Sequence, residues 1–132
     1  MALKITPKEI SLSIGEKEYL ISPTFQAILE IETKSGKGIT EILRSISEQA
    51  FAFSDIVTIV WAGIKAHAKA NKANLKDIPA WDLLAEEIAA HGYIKLIEPL
   101  TGFLNFIING SQELESAPNK EETSEGNAEK NA

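Results

Sequence analysis

Residues 9–22 alternate between apolar and polar side chains. Ile10, Leu12 and Ile14 fall on one face, with Glu9, Ser11 and Ser13 on the other. Gly15-Glu16 supplies a turn, and Tyr19 and Ile21 continue the alternation, so the segment predicts a β-hairpin. A lone hairpin is marginal in water, and its apolar face must pack on the rest of the chain.

Beyond residue 22 the apolar spacing changes to three and four. Ser22-Pro23 predicts a helix start, with serine as N-cap and proline where its missing N–H costs nothing. Phe25, Ile28, Leu29 and Ile31 form the expected buried stripe to about Lys34, and Gly36 and Gly38 end it. Ile39, Ile42, Leu43 and Ile46 then space a short second helix. A third is expected from Ser54 as N-cap, with Asp55 complementing the helix dipole. Ile56, Val57, Val60, Gly63, Ile64 and His67 share one face of it, flanked by Ile59 and Trp61. A helix apolar around so much of its circumference belongs at the centre of a bundle. Ala62, Gly63 and Ala66 are small enough to let a neighbour come close.

Residues 69–77 turn polar and read as a loop. Pro79 opens a fourth helix with Trp81, Leu84, Ile88 and Ala89 inward, closed by Gly92. Residues 93–109 carry Leu96, Ile97, Leu100, Phe103, Leu104 and Ile107 on one stripe. Pro99 inside that stretch removes a backbone donor, so a kink or break is expected there. The fold class is therefore mainly α (α+β), a β-hairpin packed on a bundle of about five short helices. Residues 1–110 are expected to form a single domain. Residues 111–132 lack periodicity and bury too little to offset their ordering entropy, so they are expected to be a disordered acidic tail.

Charge sharpens this picture. Of the net −6, the tail holds −4, from Glu113, Glu115, Glu121, Glu122, Glu125 and Glu129 against two lysines. The body is left nearly neutral, without the clustered cations that nucleic acid requires. There are no cysteines, which excludes disulfides, thiolate zinc sites and cysteine nucleophiles. No run approaches the ~20 apolar residues of a membrane span, and the start of the sequence does not read as a signal peptide. A soluble, cytoplasmic protein is expected.

Candidate chemistry is sparse. His67 sits on the buried stripe and reads as a hydrogen-bonded boundary histidine. Glu87 and His91 share one helix edge but lack the further ligand a metal needs. Residues 35–40 (Ser-Gly-Lys-Gly-Ile-Thr) lack the full phosphate-loop pattern and come after a helix, so an inter-helix turn accounts for both glycines. No G-x-S-x-G elbow surrounds any serine. No enzyme, metal or cofactor is expected. The remaining signals concern partners, because aromatic side chains carry much of interface energy. Phe51 and Phe53 lie in a loop, Trp61 flanks the third helix against either the last helix or a partner, and Phe106 lies off the last stripe. These four are the candidate partner-binding residues.

With those residues in view, residues 18–92 resemble small tail assembly chaperones of siphophage-type systems, in the version found in gene transfer agents. The resemblance is carried by the strand before a helix with Phe25, Ala27, Ile28 and Glu30-Ile31-Glu32. It continues through Gly36, Gly38-Ile39, Ile42-Leu43, Asp55-Ile56 and Trp61-Ala62-Gly63-Ile64. The chain departs from that look in its lysine-containing loop at residues 71–76 and in Pro99. The resemblance implies a non-enzymatic role: binding the tape-measure protein while tail-tube subunits polymerise around it, with self-association possible. The alternative it implies is a structural, tail-tube-associated virion protein.

Overall fold

The end of the hairpin and the middle of one helix meet almost backbone to side chain, and the other elements arrange themselves around that contact. A computed structural model describes residues 9–110. Strands β1 (Ile10–Ile14) and β2 (Lys17–Ile21) pair antiparallel, with Ile10 opposite Ile21 and Ile14 opposite Lys17. Leu12, Ile14 and Ile21 are buried, as the alternation requires. The helices are α1 (Phe25–Ser35), α2 (Ile39–Ser47), α3 (Phe53–Ala70), α4 (Trp81–His91) and α5 (Ile94–Asn109), with a short 3-10 turn at Leu75–Asp77. The expected hairpin and five helices are all present. None of these helices is long and apolar enough to cross a membrane.

The expected central helix is α3, where every residue from Asp55 to Val60 is buried. Its small residues admit β2. A Cβ added at Gly63 would lie 2.6 Å from the Ile21 Cβ and 3.4 Å from the Phe103 ring. The Ser22 backbone N–H donates to the Gly63 carbonyl at 3.2 Å. That bond corrects the expected start of α1. Ser22 belongs to the strand–helix junction, and Thr24 is the N-cap, its Oγ1 accepting from the Ala27 N–H at 3.3 Å.

The expected stripe of α1 is also corrected. Ala27 and Ile31 are buried and Ile28 half-buried, whereas Phe25 is 71% and Leu29 44% exposed. The small Ala27 lets α1 lie close on α3. Glu30 pairs with Lys65 at 2.8 Å, and the Lys34 ammonium lies 5.7 Å from the Trp61 ring centroid and 5.1 Å from that of Trp81. These contacts turn the Phe25 edge outward. Gly36 ends α1 at φ 73, a left-handed value that glycine adopts without strain. The Glu32 carboxylate then accepts the Ile39 N–H at 3.0 Å, capping α2 where Gly38 offers no side chain. Lys37 of that turn reaches the buried Asp55 at 2.8 Å.

Helix α3 begins at Phe53 with Ala52 as N-cap, two residues before the expected cap at Ser54. In α4, Leu84 and Ile88 are buried, but Ala89 is exposed and Ala85 takes its place. Helix α5 runs unbroken through Pro99, so the expected break does not occur. Pro99 sits in the second turn, and the carbonyl it leaves unpaired belongs to the exposed Lys95. The tail expected over residues 111–132 lies outside the described residues.

A second link ties the hairpin to α4. The Tyr19 hydroxyl donates to Glu87 at 2.7 Å, and Lys17 reaches the other oxygen at 3.2 Å. Burial first, and then the Glu87 carboxylate, push the Tyr19 hydroxyl up to about 12. The Tyr19 hydrogen bond in turn holds the Glu87 carboxyl below its usual value, with Lys17 adding to it. His91 covers the hairpin turn, where Gly15 takes φ 63 and an added Cβ would meet the imidazole at 2.5 Å.

Gly63→Ala should destabilise the chain by about 1–3 kcal/mol through overpacking against Ile21. Gly102→Ala, in α5 with open space at its Cβ, should instead stabilise it by about 0.5–1 kcal/mol. Urea midpoints distinguish them; equal shifts would contradict the close approach. Tyr19→Phe should cost about 1 kcal/mol at neutral pH. Because the Tyr19 pKa is raised, its contribution is intact below about 10, the ordinary tyrosine value, and lost as pH climbs toward about 12. The wild type should therefore lose stability over that alkaline range more steeply than Tyr19→Phe. For Glu87 the sign is opposite: its contribution holds above the ordinary carboxylate value and falls as pH drops through the lowered one.

Candidate partner-binding groove

The end of α2 and the start of α5 leave a groove of about 410 Å³ between them. Ile46, Phe51, Tyr93, Ile94 and Ile97 form its apolar walls, and Ser47 and Gln49 its polar part. Local backbone chemistry builds it. Gln49 takes φ 58 and the Ala50 N–H returns to the Ser45 carbonyl at 2.8 Å, so α2 stops and the chain doubles back. That brings Phe51 edge-on to Tyr93 at 5.7 Å between ring centroids, and Phe53 to the same ring at 5.8 Å. Tyr93 is thus wedged between two phenylalanines and fixes the floor.

Ile94, at the mouth, is 72% exposed. Tyr93 gives α5 no side-chain cap, and its first turn carries Lys95 and no acid, so the positive helix end is not neutralised. An apolar floor and a protruding isoleucine suit the apolar edge of a partner helix.

Of the four aromatic candidates, the structure brings two together. Phe51 lines the groove, and Phe53, the first residue of α3, supports Tyr93 behind it. Trp61 is elsewhere. It faces α1 rather than α5, with Lys34 on it and Lys65 at 4.7 Å from its ring. Phe106 is only 9% exposed, which corrects its expected place outside the packed face. Ile94 and Phe106 lie about 120° to either side of the α5 stripe centre. One flank meets protein and the other meets solvent, a difference invisible to periodicity. Tyr93 and Ile94 escaped the sequence reading for that reason, although an apolar residue off the stripe was the available signal.

The other polar candidates are occupied structurally. His67 Nδ1 lies 3.1 Å from the Ser22 Oγ and 3.7 Å from a Glu9 carboxylate oxygen, joining α3 to both ends of the hairpin. Glu87 bonds to Tyr19 and Lys17. Residues 35–40 form the turn between α1 and α2.

A family model described as phage tail tube protein, GTA-gp10, matches residues 8–93. No curated protein and no solved structure matches the chain. The family match ends at Tyr93, so the α5 wall of the groove lies beyond it. It takes in the hairpin, the first four helices and the groove residues from Ile46 to Tyr93, and agrees with the sequence resemblance at the level of a phage-tail protein. The chain belongs to the phage tail tube protein, GTA-gp10, family.

Proposed function

We propose that this chain is a non-enzymatic tail assembly chaperone that holds the tape-measure protein in the host cytoplasm during tail morphogenesis. The α2–α5 groove is the docking site. The observation that carries this reading is Ile94, a large apolar side chain left exposed at the mouth of an aromatic-floored groove. Apolar side chains spaced at i, i+3 or i+4 on a partner helix fit such a groove, and buried aromatic anchors supply much of the affinity. The acids of residues 111–132 would keep such a complex soluble.

The description of the matched family favours a second reading, in which the chain is a structural protein associated with the tail tube. The two readings differ in where the protein ends up. A chaperone leaves before the particle is finished, whereas a tube-associated protein stays.

Co-expression with the tape-measure protein of the same locus tests the proposal. Wild type should raise the soluble fraction of the tape measure and co-purify with it. Ile94→Asp should lose both effects while changing stability by less than about 0.5 kcal/mol, because the site is exposed. Absence of rescue, together with the protein in purified particles, would replace the chaperone reading with the structural one.

A further inference from the structure

A second cleft, of about 320 Å³, opens between the start of α1 and the end of α3. Phe25, Ala66 and Ala70 give it apolar walls, and the exposed Lys69 joins them from the last turn of α3. Lys72 and Lys76 follow, and among the described residues none of these three lysines pairs with an acid. The end of α5 comes to the same place. Tyr93 lies against Phe53 at 5.8 Å between ring centroids, and the Phe103 ring lies 3.4 Å from a Cβ added at Gly63. The step from 53 to 63 equals the step from 93 to 103, so α5 runs beside α3 in the same direction. Two turns past each contact, about 20° from the same face, stand Ala70 on α3 and Gly110 at the end of α5. Gly110 therefore leaves α5 on the side that faces the last turn of α3 and the cleft beside it.

Residues 111–132 follow, and their one large apolar side chain is Leu114, flanked by Glu113 and Glu115. Four residues of extended chain reach about 13–14 Å, against about 8–10 Å between the axes of neighbouring helices. Charge selects the same segment. Residues 111–132 carry −4, opposite in sign to Lys69 in the cleft. Residues 1–8 also meet the body near α3, since Glu9 lies 3.7 Å from His67, but they bring Lys4 and Lys8 and no acid.

We propose that residues 113–115 fold back on the α1–α3 cleft of their own chain. Leu114 enters against Phe25, Ala66 and Ala70, and Glu113 and Glu115 meet Lys69. The segment then covers the apolar edge that the docking of α1 leaves outside. One leucine and a few solvent-screened charges make the contact weak and sensitive to salt. Both α5 and this segment lie beyond the family match, and the cleft is separate from the α2–α5 groove, so the contact does not rest on the chaperone reading.

Paramagnetic relaxation in the full chain tests this. With no cysteine in the sequence, Ser116→Cys takes a single nitroxide label. In dilute, isotope-labelled protein the amide signals of Phe25, Gln26, Ala66 and Ala70 should lose most of their intensity, while those of Phe51 and Ile94 keep theirs. Adding Leu114→Asp should restore the lost signals. Raising salt to about 1 M, where the screening length falls to about 3 Å, should weaken the loss. Uniform broadening, broadening centred on the α2–α5 groove, or a loss that survives Leu114→Asp would each overturn the proposal. Spin-labelled chains mixed with separate isotope-labelled chains distinguish the copies. The same loss in that mixture would make the occupant a second copy and overturn the contact within one chain. A strong loss from a label at Ala2→Cys, with none from Ser116→Cys, would give the cleft to residues 1–8 and overturn it equally.

Discussion

The close approach at Gly63 governs the arrangement of this protein. Ile21 and Phe103 both press on a position where even one added carbon would collide. The hairpin therefore sits directly on the central helix, anchored by the Ser22–Gly63 hydrogen bond. Two further residues, Pro23 and Thr24, are needed before the chain can turn into α1, which is why the helix starts at Phe25. The same seating lays α1 on α3 through Ala27 and Ile31 and leaves Phe25 and Leu29 outside. An apolar edge that looked like core becomes surface because of where the strand ends.

Polar links then fix what packing leaves loose. Tyr19 and Lys17 hold α4 through Glu87, Lys37 holds the α1–α2 turn to Asp55, and Lys34 lies against Trp61 and Trp81. Asp55 is the most buried of these charges, and losing Lys37 would leave it unpaired in a low-dielectric site. These groups read as ties between elements.

Much of this fold was legible in the sequence because long apolar periods are redundant. The hairpin alternation, the central position of α3 and the need for small residues near Gly63 come from spacing alone. The direction of a helix face is another matter. Phe25 and Leu29 repeat with the same period as Ala27 and Ile31, and only the docking of α1 decides which pair is buried. Ile94 and Phe106 pose the same problem at opposite flanks of α5. The groove was only partly legible, since Phe51 and Phe53 stood out as aromatics off any stripe, while Tyr93 became their partner through a tertiary contact. Trp61 stood out equally and serves α1 and its lysines instead. Family membership makes the chain a phage tail-related protein.

The central claim is that residues around the α2–α5 groove meet the helical tail partner. Hydrogen exchange of the full chain, alone and with the soluble tape-measure protein present, tests it most directly. Binding in the groove predicts slowed exchange in the segments holding residues 46–51 and 93–97, with α4 unchanged. Slowed exchange confined to α4 or the hairpin, with those two segments unaffected, would contradict it.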